Sequence, residues 1–492
     1  MNIGCVFTDS NYVSKMSSFI AIPFGLSYVA SSLKAAGHEP RTLFLTPYMD
    51  VMDEVTRFIE EHCPRLFCLT AVTTQYPFIC DIAKTIKQID SSIHVILGGH
   101  HATLNPNETV EEPYFDAICV GEGERAVVEY ASQIEREGRP ARINNLWIKG
   151  HDGKSIEKNP QDPFIQDLDG LPNIDRRMWD KYVSNKEGMH SLLLGRGCPH
   201  KCTYCSNHAL ARVSKGRYVR FRSPEEVIGE LDEIVEYYPL VNIVFLEMET
   251  FAVNLEYAYE MCDLLELFNA NRKKSIAFGA NFAVTKNVVG NEDLLKRLNR
   301  ANFSFINIGL ESGSEKIRNE ILKRPRYSNR DFMAFCRLVK KHGININLNV
   351  LIGIPGETIQ DFRETAAFVR ECDPQSVLFF IFYPYPGTEL YLTAKKMRLF
   401  TEYILDPALE RRRAVLDLPG FSKKQIQREY LLFDYKVYKG RKPLMQILAP
   451  TLIKYRDLHP GLYAFYQKII PQRLRKEIRE LVFRRWRAFL EG

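Results

Sequence analysis

The sequence predicts an α/β protein of about three parts: a doubly wound parallel sheet at the N-terminus, a central region of strand–helix repeats and a helical C-terminal extension. Three observations carry this reading. At roughly 150 residues per domain, a chain of 492 residues holds about three domains. From residue 1 to 136 short apolar runs alternate with amphipathic stretches, and parallel neighbours need a crossover between them. The composition, 45% hydrophobic and 26% charged with 30 Phe and 24 Tyr, excludes wholesale disorder.

In chain order, the apolar runs are Asn2 to Phe7, Glu39 to Leu45, Leu66 to Leu69, His94 to Leu97 and Phe115 to Val120. The stretches between them have helical periodicity. In the first, Leu26, Val29, Ala30 and Leu33 share one face and Gly37 supplies the stop. Ligands of such sheets sit beyond the carboxyl ends of the strands. The first end holds Asp9, Ser10 and Asn11, the third Thr70 to Thr74, and the fourth Gly98, Gly99, His100 and His101. Paired glycines let a flat ligand approach the backbone, or simply make a tight turn.

This pattern resembles the cobalamin-binding domain, a Rossmann-like fold whose motif is D-x-H-x-x-G, then S-x-L, then G-G. Gly98-Gly99 keep the third element, Thr70-x-Val72 stands for the second, and the first has become Asp9-x-Asn11 with Ser14 in place of the glycine. The resemblance implies cobalamin contacts at Asn11, Thr70, Val72, Gly98 and Gly99. Asn11 stands where the motif has the histidine ligand, so it implies a cobalt without that lower ligand. His100 or His101 is a substitute ligand or, more simply, a hydrogen-bonding turn residue. This domain is placed at 1–140.

Residues 141–184 read as a linker with a small hairpin around His151-Asp152-Gly153. Directly after the apolar strand Ser191 to Leu194 comes GRGCPHKCTYCSNH, which spaces Cys198, Cys202 and Cys205 as C-x-x-x-C-x-x-C. Three thiolates from one loop can hold a 4Fe-4S cube and leave one iron open. Zinc would need a fourth ligand, for which His200 or His208 is available, and normally prefers paired C-x-x-C knuckles. The other eight cysteines lie mostly in apolar patterns and read as small core residues.

The cysteine loop, with the aromatic Tyr204 before the third cysteine, is similar to that of radical S-adenosylmethionine (SAM) enzymes. The resemblance implies a partial (β/α)6 barrel over about 185–400. It places Glu249 of VFLEMETFAVN at the SAM amino group, with Glu247 as the acid in another register. Asn281 on the third strand stands where relatives often have an arginine. Gly309, Glu311, Ser312 and Gly313 sit where relatives hold the SAM ribose and carboxylate, and Gly353, Pro355 and Gly356 where they approach the adenine. Phe380 to Tyr391 give the sixth strand. Catalytic acid or base residues are not identifiable.

Together the resemblances imply the family of radical SAM enzymes with a cobalamin (B12)-binding domain. Its cofactors are a 4Fe-4S cluster, SAM and cobalamin. The activity expected is radical methylation of an unactivated carbon, or of phosphorus. The alternatives are a cobalamin-dependent radical cyclisation, oxidation or rearrangement without net methyl transfer, and, more remotely, a non-catalytic cobalamin- or metal-binding regulator. The expected partners are a small-molecule or lipid-like substrate and an electron donor such as flavodoxin or ferredoxin, with no nucleic acid.

The net charge of +6 hides an asymmetry. Residues 411–492 hold 20 basic and 7 acidic side chains, so the first 410 carry a net −7. In the helical region 401–492, Pro419-Gly420 followed by Ser422 restarts a helix. Residues 471–492 read as an amphipathic basic helix, with Leu474, Ile478, Leu481, Val482 and Trp486 on one face. That helix docks on the barrel or makes peripheral membrane contact. Eleven cysteines, most scattered singly, fit a reducing, cytoplasmic compartment. The start of the chain shows no secretory pattern, and no run reaches the length of a membrane span.

Overall fold

In the computed structural model, residues 1–8, 22–138, 140–150, 152–183, 188–400, 407 and 410–459 are described. Asp9, Asn11, Ser14 and the segment 471–492 lie outside them. The N-terminal domain runs β1 (Asn2–Thr8), α1 (Phe24–Ala35), β2 (Glu39–Leu45), α2 (Val51–His62), β3 (Leu66–Thr70), α3 (Tyr76–Ile89), β4 (His94–Gly98), the short α4 (His100–Leu104) and α5 (Pro106–Glu111), β5 (Ala117–Cys119) and α6 (Glu124–Arg136). Every apolar run of the sequence has become a strand, paired in parallel in the order β2-β1-β3-β4-β5.

The hairpin expected in the linker belongs to this sheet. Strands β6 (Leu146–Lys149) and β7 (Ile156–Lys158) extend its edge antiparallel to β5. Leu146 and Ile148 face one core of this sheet while Trp147 between them packs on the core of the opposite face, so the period-2 alternation serves both sides. The rest of the linker packs back on the same domain: Trp179 is fully buried, donates to Ser27 Oγ at 2.8 Å and meets Phe7 edge-on.

The central domain is a partial (β/α)6 barrel. Its parallel strands are β8 (Met189–Leu193), then, after the short β9 (Gly195–Arg196), α7 (Ser206–Leu210), β10 (Arg220–Phe221) and α8 (Pro224–Tyr237), β11 (Ile243–Glu247). These are followed by α9 (Leu255–Ala270), β12 (Ala277–Phe282), α10 (Glu292–Arg300), β13 (Phe303–Glu311), α11 (Asn329–Lys341), β14 (Asn345–Ile352), α12 (Ile359–Cys372), β15 (Ser376–Ile381) and α13 (Glu389–Lys396). The six strands pair in sequential order from β8 to β15. The sixth begins earlier than the sequence implied and ends at Ile381, because Pro384 and Pro386 cannot continue a ladder.

On each strand alternate residues, such as Ile306, Ile308 and Leu310 of β13, are fully buried under the helices. The others face the concave lumen. The C-terminal region completes the barrel instead of standing apart from it. Helix α14 (Lys423–Tyr438) starts at Ser422 with a reciprocal cap to Gln425 and lays Ile426, Tyr430 and Phe433 on α12 and β15. Phe379 and Phe433 stack at 3.8 Å. Helix α15 (Leu444–Leu458) then packs on α14. Among the cysteines, Cys63 departs from the core expectation: it is exposed, ending α2 in the left-handed region.

Candidate active site

The two domains meet across a cavity of about 650 Å³. Thr70, Val72, Gly98, Gly99 and His100 line it from the first sheet, and Glu247, Glu249 and Asn281 from the barrel. These Rossmann-side residues and the three from the barrel thus open into one space, which the cluster cysteines, Tyr204, Gly309, Glu311, Ser312, Gly353 and Pro355 do not line. A second cavity of about 840 Å³, between α1, the linker and α8, is lined by Lys34, Asp175, Arg177 and Tyr237 and holds none of the expected site residues.

On the first side, Gly99 has φ +90, and a Cβ there would lie 2.7 Å from Thr70 Oγ1 and 2.8 Å from the Ala71 carbonyl. Only glycine fits. Gly98 is different: a Cβ would meet nothing nearer than 3.7 Å, so its bare backbone leaves room for a flat ligand. Val72 is 38% exposed, an apolar side chain left open toward the cavity. These features fit a broad, largely apolar ring system.

The two histidines part ways. His101 is buried, stacks on Tyr76 at 3.9 Å, bonds Thr73 Oγ1 at 3.3 Å and is pushed down to about 4 by burial. It is a packed turn residue. His100 faces the cavity near Glu249.

The cysteine loop leaves β9 through Gly197, φ +91, where a Cβ would lie 2.3 Å from the Tyr218 carbonyl. Thr203 anchors it: the backbone N–H donates to the Leu322 carbonyl at 3.1 Å, the hydroxyl to the Ile321 carbonyl at 2.6 Å, and the carbonyl accepts from Leu390. Cys202 is buried and Cys198 and Cys205 half-buried, all as free thiols. Burial pushes Cys198 up to about 12 and Cys205 to about 11, so iron would displace protons on binding.

The three thiols are near enough to feel one another's charge. Yet among the described residues no three His, Cys, Asp or Glu side chains gather as a group for a single metal ion. A cube takes three thiolates on three separate irons and needs no fourth protein ligand, whereas structural zinc does. His208, a proposed zinc ligand, instead pairs with Arg212 at 2.6 Å.

Behind the loop lies a buried trio. Tyr204 donates to Glu311 Oε1 at 2.9 Å, and Arg324 bonds both the Tyr204 hydroxyl at 2.8 Å and the Gly309 carbonyl at 2.6 Å. Glu311 sits at φ +62, and burial pushes its carboxyl up against the pull of Arg324. Gly309 has no space for a side chain, since a Cβ would lie 2.7 Å from Glu311 and 2.8 Å from Arg324. The Ser312 hydroxyl points away from the lumen to Thr365 at 3.2 Å, and the same threonine accepts from the Gly313 N–H at 2.9 Å. Ser312 therefore holds the turn, with its N–H donating to the Leu310 carbonyl at 2.8 Å and its carbonyl accepting from Arg318 at 2.7 Å.

Gly353, φ +81, donates to Glu357 at 2.7 Å and Ile354 does so at 3.2 Å, while Pro355 is buried in the same loop. The other Glu357 oxygen is buried without a partner, and burial pushes this acid up to about 8. Glu247 and Glu249 both line the shared cavity, so either register brings a carboxylate there; burial pushes Glu247 up to about 7.

Sequence reasoning missed Arg324, Glu357 and an ionic clamp between the domains. Glu122 accepts from Arg196 at 2.9 Å and from Arg220 at 2.8 Å, and Arg196 also reaches Glu124 at 2.7 Å. The GEGE run at Gly121 to Glu124 was the available signal; its partners lie far along the chain.

Comparison with known proteins finds one family model in each domain. The family model described as B12 binding domain matches residues 15–131, and that of the Radical SAM superfamily matches 192–369. An uncharacterized methyltransferase, PH0819, of Pyrococcus horikoshii is 28% identical over 417 residues, covering 82% of this chain and 85% of that protein. The anaerobic magnesium-protoporphyrin IX monomethyl ester cyclase of Rubrivivax gelatinosus is 25% identical over 381 residues, covering 75% of this chain but 65% of that protein. Among solved structures, the radical SAM methyltransferase TsrM of Kitasatospora setae shares the fold with a TM-score of 0.64 at 18% identity, over 82% of this chain and 77% of TsrM. The two domains bring a 4Fe-4S cluster, SAM and cobalamin as cofactors. The order of these domains on one chain, opening on one cavity, makes this protein a member of the radical SAM enzymes with a cobalamin-binding domain.

Proposed function

We propose that the protein methylates an unactivated carbon, or a phosphorus, of a small molecule held in the barrel. The observation carrying this is the shared cavity, which lets a group held on Gly98 and Gly99 and one held on the barrel address the same substrate. When bound, the cluster and SAM supply a 5′-deoxyadenosyl radical and cobalamin supplies a transferable methyl group.

The chain's own residues bind, orient and exclude water. Cys198, Cys202 and Cys205 are assigned to the cluster. Tyr204, Glu249, Gly309, Glu311, Ser312, Gly353 and Pro355 are assigned to SAM, with Tyr204 and Glu311 acting through the buried trio and Ser312 by holding its turn. Thr70, Val72, Gly98 and Gly99, with Asn11 outside the described residues, are assigned to cobalamin. The electron comes from a donor such as flavodoxin or ferredoxin.

A second reading, radical cyclisation or oxidation without methyl transfer, draws on the cyclase relative. Product analysis of the reconstituted enzyme separates them. S-adenosylhomocysteine formed together with 5′-deoxyadenosine supports methylation; 5′-deoxyadenosine alone overturns it in favour of the second reading.

A further inference from the structure

The lumen of the barrel carries a feature that neither the cofactors nor the fold requires. Asn281, Asn307, Asn347 and Ser376 stand in register on β12, β13, β14 and β15. Their side chains form one directed row. Ser376 donates to Asn347 Oδ1 at 2.6 Å, Asn347 to Asn307 Oδ1 at 3.1 Å, Asn307 to Asn281 Oδ1 at 3.3 Å, and Asn281 to the Met248 carbonyl at 3.2 Å. The row ends at the shared cavity, which Asn281 lines, and Asn307, Asn347 and Ser376 lead to it as half-buried side chains. One step up β14 on the same face, Asn349 Oδ1 is buried without a partner.

Beneath the row, Phe245 and Phe305 stack at 5.9 Å across Gly279, where a Cβ would lie 2.3 Å from the Phe305 ring. The carboxamides thus form a polar tier above an aromatic floor.

The tier has spare capacity of a definite kind. A carboxamide offers two donors and two lone pairs. The row consumes one of each from Asn281, Asn307 and Asn347, leaving each with one N–H and one lone pair. The complement is a group that both donates and accepts, as a hydroxyl does. Anions are poorly matched, because none of the six barrel strands contains a Lys or Arg, Glu247 and Glu249 stand at the mouth, and the two arginines lining the cavity, Arg196 and Arg220, are paired with Glu122 and Glu124. An apolar lipid skeleton would leave the carboxamides unpaired, and a site built for hydroxyls rejects analogues lacking them strongly.

We infer that the Asn281–Asn307–Asn347–Ser376 tier is the substrate-recognition surface for an uncharged, polyhydroxylated ring such as a sugar or cyclitol. This rests on the proposed function only in taking the lumen as the acceptor site. It replaces the broad expectation of a small-molecule or lipid-like substrate with one class.

The test has two arms. In the first, the reconstituted holoenzyme receives methyl-labelled SAM and a metabolite extract, and labelled product is fractionated. Label in the neutral aqueous fraction retained on a boronate resin supports the inference. Label in the chloroform phase, on an anion exchanger or in a neutral product without hydroxyls overturns it and leaves methylation standing. In the second arm, myo-inositol and methyl glucoside are probes in ligand-observed NMR with the full chain. Binding that falls about tenfold or more in Asn347→Leu supports the tier. No polyol binding, or binding indifferent to the substitution, overturns it. If Asn347→Leu fails to fold, Ser376→Ala, which removes only the first donor of the row, takes its place. Tier-dependent polyol binding with no label transferred overturns methylation and keeps the inference.

Discussion

Arg324 is the side chain on which the buried trio depends. Arg324→Ala leaves Glu311 buried without its cation and Tyr204 without its second partner, so denaturation of the cofactor-free protein should show a loss of about 3–5 kcal/mol. Tyr204→Phe, which removes one hydroxyl, should cost about 1 kcal/mol. Equal losses for the two would refute the ranking. Glu357 predicts a pH signature. Burial raises its folded value from 4.5 to about 8, so the folded state holds more protons than the unfolded one between those values. Stability from this group is present at low pH and lost as pH rises toward 8. Glu357→Gln should flatten that decline in urea midpoints; an unchanged slope would show that the carboxyl is ionised when folded. The cysteine triplet and Tyr204 are legible in sequence because they occupy one short loop. Arg324 is not, because it reaches Tyr204 across 120 positions through the π-helical turn at Ile317–Ile321 and the left-handed Lys323, which no periodicity announces.

Between elements, the clamp of Glu122 and Glu124 on Arg196 and Arg220 sets how the loop after β5 meets β9 and β10. Arg220 is 5% and Glu124 3% exposed, so these charges are held by each other. Glu122→Gln leaves Arg220 without a carboxylate and Arg196 with Glu124 alone. Because Gly121 to Glu124 line the cavity, cobalamin affinity in a spectral titration should fall about tenfold or more; an unchanged affinity would mean the loop does not shape that site. The strands are legible because each apolar run is a buried parallel strand. The edge role of β6 and β7 is not, since a hairpin's own alternation says nothing of which sheet it joins. The docking of Phe433 on Phe379 is hidden for the same reason. The basic segment 471–492 lies outside the described residues; membrane contact, expected beside docking on the barrel as its alternative, is tested by flotation. The full chain should float with anionic vesicles, less so at high salt and less so without residues 471–492; equal flotation without that segment would assign the contact elsewhere.

At the scale of the molecule, the proposed function rests on two domains that line one cavity. The chain carries a net charge of +6, yet its first 410 residues are net acidic and its barrel strands carry no Lys or Arg, which suits an uncharged substrate beneath charged cofactors. No helix among the described residues is long and apolar enough to cross a membrane. The domain order and cofactor loops are legible from spaced motifs, whereas the polar tier is not, because Asn281, Asn307, Asn347 and Ser376 come together only when four strands align. The measurement that tests the central claim most directly is a single turnover with enzyme preloaded with deuteromethyl-cobalamin, unlabelled SAM and the metabolite extract. The account predicts that the first product carries the deuterated methyl group; 5′-deoxyadenosine formed with the label still on cobalamin would contradict it.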